Sequence, residues 1–557
     1  MILSKRQKLY FGILFLILFI PNFFVLFNYN DIKGNIKFSG AYILLSFFVW
    51  ALPLVLLKTK PYFVLGFFFL LTAPIEIIFV KSLGTPHTVG FIDSIFKSNL
   101  KEATEQLSGN ILMVITFVFI LIIYVWLTIK IKNVRLNKKL RLSIFLGFIL
   151  FNIGIFFQMF ALQKGAQSDL KEKIKIAISW VLIKYSRVYP ANLLVNLNHQ
   201  FENQRAISKL EDNLVNFNFK AVSNNPSEQE EVVVLVIGET ARFKSFHLNG
   251  YQRPTTPYLD TTPNLLSFKN MYAQANLTSM SVPQIITRAT PQDYQKQFSE
   301  KTIADAFKQA GFYTAWFANQ SSETPIIKRL QKVIDYFKTN NSDINLIGYY
   351  DEVILPDFKK VLANNSKKKF IVIHSLGSHF RYSNRYPKTF EKFTPSLQET
   401  GYNNLSYDNR ESLINAYDNS ILYTDYFLHL LIQSLEATHQ KAVLLYVSDH
   451  GENLYDDQNK YFAHGSVKPT KLEYHIPFFI WYSKQYQEAE PKKIEILKQH
   501  ISSPASSGSA FYTLLDMANI QYENAASELT KSLSSDKYVL PKERFMLNSE
   551  QKVIPIQ

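Results

Sequence analysis

Three short segments bring hard metal ligands and hydroxyl nucleophiles into one chain: Gly238-Glu239-Thr240, Asn276 through Pro283, and Ser448-Asp449-His450-Gly451-Glu452-Asn453. A zinc-like divalent ion takes carboxylate oxygen and imidazole nitrogen at about 2 Å and keeps one position for substrate. Glu239, Asp449 and His450 are therefore the candidate ligands. Thr278, Ser279 and Ser281 precede Pro283, a residue suited to a helix's first turn, where unpaired amides and the helix dipole favour a tetrahedral phosphate. Thr240, beside Glu239, is a fourth candidate nucleophile, and residue type alone leaves the choice among the four open. Any one of these acids or hydroxyls serves equally well as a helix cap. Their combination describes metal-assisted group transfer.

Seven of the eleven histidines fall between His374 and His475. His379 follows one apolar run in Gly377-Ser378-His379, and His464 lies in Ala463-His464-Gly465. Both are candidates for the same catalytic edge, as acids, bases or ligands. His429 and His439 fall on a helical pattern and read as surface or structural residues.

The elements that must position these groups are legible as alternating patterns. Glu239 ends the run from Glu231 to Gly238, and Asp449 follows the run from Ala442 to Ser448. Between and around them the pattern predicts helices at Thr302–Gln309, Glu352–Leu362, Glu411–Leu435 and Ser509–Met517. It predicts further strands at Phe312–Phe317, Phe370–His374 and Ile476–Trp481. Such alternation predicts an α/β/α sandwich with a mostly parallel sheet, whose ligands gather at the carboxyl ends of the strands.

The first part of the 557-residue chain differs in kind. Apolar stretches near Leu9–Leu26, Ala41–Leu57, Tyr62–Val80, Ile111–Ile129 and Leu142–Leu162 are each about long enough to span ~30 Å of hydrocarbon. They predict a transmembrane domain of five helices over 1–162, a connector with membrane-surface helices over 163–225, and a catalytic domain over 226–557. Lys5, Arg6, Lys8, Lys58, Lys60, Lys130, Lys132, Arg135, Lys138, Lys139 and Arg141 occupy loops without acids. The positive-inside rule then puts the amino terminus in the cytoplasm and everything beyond Gln163 outside. These eleven residues also account for most of the +15 net charge, so the charge gives no support to nucleic-acid binding. Glu76 reads either as lining a lipid-binding cavity or as reaching the membrane interface. The stretch Leu170–Lys184 reads as an amphipathic helix on the membrane surface or as a connector.

Several motifs extend this reading: Ile237 through Arg242, Asn249-Gly250-Tyr251-Gln252-Arg253-Pro254-Thr255-Thr256-Pro257, Thr278 through Pro283, His374 through His379, Tyr417-Asp418-Asn419-Ser420 and Ser448 through Asn453. On these motifs the chain resembles, over nearly its whole length, the phosphoethanolamine transferases of the lipopolysaccharide-modifying type, within the alkaline phosphatase and sulfatase superfamily. The resemblance implies a multi-pass protein of the bacterial inner membrane, monomeric, with its catalytic domain in the periplasm. It implies Thr278 as nucleophile and, with Glu239, Asp449 and His450, as ligand of one tightly bound zinc. His379 and His464 match positions that contact the phosphoryl group or a second zinc. The implied donor is phosphatidylethanolamine and the implied acceptor lipopolysaccharide, on lipid A or core, or another glycolipid. Asn319 and Gln320 are implied to contact substrate. The loop Ser94–Leu107, with Asn99, Glu102 and Glu105, is implied to lie near the lipid donor, unless it is a plain interfacial helix.

The chain departs from that pattern where lipid A transferases usually carry cysteines around the nucleophile. It has no cysteine at all; Asn276-Leu277 precedes Thr278 and Gln284 follows Pro283. Thr324 stands where a lysine often contacts substrate, which bears on the headgroup or the acceptor more than on the chemistry. A formylglycine sulfatase requires Cys or Ser in Cys/Ser-x-Pro-x-Arg, and here Ile285 occupies the Arg position. A phosphoglycerol transferase of the same superfamily is the main enzymatic alternative. A non-enzymatic scaffold would be expected to have lost ligands, and all four are present.

Overall fold

The computed structural model describes residues 4–28, 36–83, 86–88, 91–92, 111–161, 174, 181, 184–319, 325–339, 350–397 and 407–556. Two compact units emerge, divided between Glu202 and Asn203.

The first unit is helical: α1 (Lys5–Asn28), α2 (Ile36–Ala51), α3 (Thr59–Leu70), α4 (Ala73–Leu83), α5 (Ile111–Lys130), α6 (Lys138–Ala161) and the start of α7 (Ala191–Asn216). Among the described residues α1, α5 and α6 are long and apolar enough to cross a membrane. α3 and α4 form a pair bent by 47°, and a shorter apolar helix covers Ser39–Val55. The bend falls where Pro74, lacking an amide proton, enters the first turn of α4. α5 exposes Leu112, Ile115, Phe119, Ile122, Trp126 and Ile129. That three- and four-residue spacing makes an apolar outer stripe suited to lipid rather than water.

Several buried polar groups inside this unit pair with one another, as a medium without water favours. Asn22 accepts from the Tyr189 amide at 3.1 Å and donates to its carbonyl at 2.9 Å. Glu76 is fully buried, paired with His87, and accepts from Asn192 Nδ2 at 2.8 Å. Both partners of Glu76 lie inside the unit, which offsets the cost of burying its carboxyl group. The helix expected at Leu170–Lys184 lies largely outside the described residues.

The second unit is built on one sheet. Its strands are β1 (Glu231–Gly238), β2 (Leu265–Phe268), β3 (Tyr313–Ala318), β4 (Tyr336–Thr339), β5 (Lys368–His374), β6 (Lys441–Ser448) and β7 (Phe478–Tyr482). They lie in the order β2-β7-β6-β1-β5-β3-β4. The block from β6 to β4 is parallel, whereas β7 is antiparallel to both β6 and β2. The sheet is mixed because β6 and β7 are joined without a long crossover helix, which a parallel neighbour would need.

Alternate residues of β1 face opposite layers. Val233, Leu235 and Ile237 pack with α9 (Ile303–Gln309), α10 (Pro325–Val333) and a carboxy-terminal helix, Ser509–Met517. Val232, Val234 and Val236 pack with α11 (Leu355–Leu362) and α12 (Arg410–Glu436). With both faces covered, the central strands are apolar throughout and only their ends are free to carry chemistry.

Candidate metal and phosphoryl-transfer site

Parallel register aligns the carboxyl ends of three strands: Gly238 stands beside Ser448, and Ile237 beside His374. Each strand therefore delivers its next residues to one edge. The Asp449 amide donates to the Gly238 carbonyl at 3.0 Å, prolonging the pairing by one step. Asp449 Oδ1 accepts from the amides of Thr240 at 2.9 Å and His450 at 2.7 Å. Its Oδ2 is buried without a hydrogen-bond partner, 3.2 Å from His450 Nε2. His450 Nδ1 lies 3.0 Å from the Gly451 carbonyl, which fixes the proton there and leaves the Nε2 lone pair facing the acids.

Ligand atoms of Glu239, Asp449 and His450 all lie within 4.8 Å of one another, and all three residues are fully buried. Burial, then the neighbouring Asp449 charge, pushes the Glu239 carboxyl well above the usual range. Two adjacent buried carboxylates, one with an orphaned oxygen, and an imidazole lone pair make a donor set that fits a divalent zinc-like cation.

α8 (Thr278–Ile286) starts at this edge. Thr278 Oγ1 lies 3.2 and 3.3 Å from the two Glu239 oxygens and 3.1 Å from His450 Nε2. The rival hydroxyls are placed differently. Thr240, strained at φ 59°, donates to Glu239 at 2.6 Å, and Ser281 donates to the Asp449 carbonyl at 2.6 Å. Ser279 Oγ is buried without a hydrogen-bond partner. Pro283 was expected in the first turn of this helix but stands in its interior. The Ser279 carbonyl, which an amide at 283 would have bonded, accepts instead from Tyr294 Oη at 3.3 Å.

His379 reaches the edge on a loop locked to Glu239. The Ser378 amide donates to the Glu239 carbonyl at 3.1 Å, and Gly377 adopts φ 48° with room for no Cβ, which would lie 2.9 Å from that oxygen. Asp351 secures the same loop by accepting from the amides of Leu376 at 2.8 Å and Gly377 at 2.9 Å. Burial, with help from Arg385 and His464, pushes His379 down to about 3. His464 stacks on His450 with ring centres 4.0 Å apart, and its Nδ1 lies 3.2 Å from Glu452. Burial lowers His464 as well, which favours the neutral form of both imidazoles.

The sulfatase family profile matches residues 231–520, more than half the chain. The chain belongs to the sulfatase family. It is 27% identical over 514 residues to the phosphoethanolamine transferase EptC of a strain of Escherichia coli, covering 89% of this chain and 85% of that protein. The periplasmic domain of Escherichia coli EptC, solved in complex with Zn, matches with TM-score 0.54 and 29% identity over 60% of this chain and 94% of that one. The full-length fold, helices included, is shared with the lipooligosaccharide phosphoethanolamine transferase EptA of Neisseria meningitidis, with TM-score 0.73 and 22% identity over 96% and 97% of the two chains.

Within this sulfatase domain the edge brings together Glu239, Thr278, Asp449 and His450, with His379 and His464 alongside. Ile285, at the formylglycine motif's Arg position, is fully buried in the core. Asn319 is buried and donates to Asp351 at 3.0 Å, so it braces the His379 loop. Gln320, Asn99, Glu102 and Glu105 lie outside the described residues. Sequence reasoning missed Asp351, Tyr382 and Glu473. Tyr382 donates to Glu452 at 2.9 Å, and Glu452, buried, is pushed up to about 8. Of the three only Glu473 carried a signal, as the last residue of a capping-box pattern begun by Thr470.

Proposed function

We propose that this chain is a zinc-dependent phosphoethanolamine transferase, taking the headgroup from phosphatidylethanolamine and passing it to lipopolysaccharide, on lipid A or core. The observation that carries the reading is the Thr278 hydroxyl, at the start of α8 and within 3.3 Å of both Glu239 and His450. The names of the relatives support the choice of headgroup.

Glu239, Thr278, Asp449 and His450 would hold one zinc, which when bound supplies positive charge for the buried acids and for oxygens that become anionic. Thr278 Oγ attacks the phosphorus; the Oγ–P bond forms as the P–O bond to diacylglycerol breaks. His379 or His464, neutral beforehand, takes the hydroxyl proton and returns it to the leaving oxygen. The amino end of α8 directs amide dipoles at the phosphoryl oxygens. In the second step an acceptor oxygen attacks the same phosphorus and Thr278 leaves. In this reading five spans occupy 1–162, with the bent pair α3–α4 as the third and α2 extended to Val55 as the second. The connector is 163–225, and 226–557 is the periplasmic catalytic domain of an inner-membrane protein.

The test is to incubate the full-length protein with phosphatidylethanolamine and no acceptor, then fragment its peptides. A phosphoethanolamine adduct on Thr278 is expected, and none in Thr278→Ala. An adduct on Thr240, or a phosphoglycerol adduct, would overturn the nucleophile or the substrate respectively.

A further inference from the structure

Glu473 belongs to no ligand set, yet three of the segments that carry reacting groups bond to it. It is fully buried in the short helix α13 (Lys471–Tyr474). Its Oε2 accepts from Asn276 Nδ2 at 2.7 Å and from the amides of Gly465 at 3.0 Å and Ser466 at 3.1 Å. Its Oε1 accepts from Ser466 Oγ at 2.5 Å, Asn453 Nδ2 at 2.9 Å and the Thr470 amide at 3.3 Å. Asn276 lies two residues before Thr278, Asn453 opens the short strand Asn453–Leu454 that follows Asp449 and His450, and Gly465 directly follows His464.

A capping glutamate needs only its bond to the cap residue's amide. Here six donors converge on one buried carboxylate, and among the described residues no Lys, Arg or His lies within ion-pair distance of it. The backbone reinforces the junction. The Gly451 amide donates to the Glu473 carbonyl at 2.7 Å, and a Cβ on Gly451 would lie 2.1 Å from the Leu472 carbonyl oxygen. His464 is flanked by Ala463 at φ 66° and Gly465 at φ 81°. A non-glycine residue in the left-handed region persists only where its surroundings hold it, and Glu473 bonds the very next turn.

We infer that Glu473 is a positioning residue for group transfer, fixing Thr278, the Asp449–His450 pair and His464 at one mutual spacing. It touches no reacting atom, and the inference rests on the transferase reading above. Displacement of a reacting group by about 1 Å costs on the order of a hundredfold in rate. A carboxylate is acceptor-only when ionised. Glutamine at this position would turn an NH2 group toward donors on either side, keeping the volume while breaking the junction.

The test uses the full-length protein in lipid nanodiscs with phosphatidylethanolamine and a glycolipid acceptor. Glu473→Gln is expected to keep wild-type zinc content and a KM within about threefold, while kcat falls about 30-fold. Asn276→Ala, which removes the tie from the nucleophile's segment to Glu473 together with a 2.9 Å bond to the Ser466 carbonyl, is expected to lower kcat about tenfold with the same zinc content. The double variant is expected to lose less than the product of the two single losses, because both changes sever the Asn276–Glu473 bond. Should Glu473→Gln fail to fold, Asn276→Ala decides by itself. A kcat within about twofold of wild type in the folded variants overturns the inference, as does loss of zinc and melting temperature in step with activity. A wild type that forms neither adduct nor product would instead overturn the transferase reading.

Discussion

Asp425 carries a clear pH signature among the buried acids that belong to no candidate ligand set. It sits in α12 and accepts from the amides of Tyr258 and Leu259 at 2.9 Å each, yet burial lifts its carboxyl to about 7. Between its ordinary 3.8 and that value the folded chain binds a proton the unfolded chain has lost. This contribution to stability is therefore complete below about pH 4 and disappears as pH rises through about 7. Thermal melts should show a decline over that window in the wild type that is absent in Asp425→Asn; parallel curves would exclude the assignment. Legibility in the sequence followed the same division between local and distant partners. Glu239, Asp449 and His450 were readable because each terminates or follows an apolar strand pattern. Thr278 could be separated from Thr240, Ser279 and Ser281 only by resemblance, since what distinguishes it is distance to His450, 172 residues away. Glu473 was readable as a cap and not as a junction, because Asn276 lies 197 residues before it.

Between strand and loop, the loop after β5 shows how an element transmits a demand. Its position depends on Gly377, whose φ of 48° and contact with Glu239 exclude a side chain. Gly377→Ala should cost about 1–3 kcal/mol in stability and lower kcat about tenfold by displacing His379. Calorimetry and initial rates check this, and a variant with wild-type values would show that the loop is not held as described. The strands and helices of the parallel block were legible because burial on both faces leaves continuous apolar runs bounded by polar turns. β2 and β4 were not, being short, and α10 was passed over although Ile326, Ile327, Leu330 and Val333 fall on one helical face; the direction of β7 was hidden because strand patterns carry no polarity. The place of Pro283 was misjudged for a comparable reason: a tyrosine hydroxyl from another segment compensates its missing amide, and such rescue leaves no mark on local sequence.

For the whole molecule, the proposed crossing of the membrane makes a definite demand on topology. A reporter active only outside the cytoplasm should work when fused after Asn225 and fail when fused at Lys132; the reverse pattern would sink the orientation and access to outward-facing donor lipid. Composition made the division into an apolar helical part and a mixed part legible, whereas the bend between α3 and α4 was not, because a continuous apolar stretch conceals a change of axis. The junction around Glu473 has a last consequence. It secures the segments beside the nucleophile by hydrogen bonds alone, in a chain with no cysteine. Folding therefore needs no thiol oxidase, and neither reducing agents nor the redox poise of the surroundings has a disulfide in this chain on which to act.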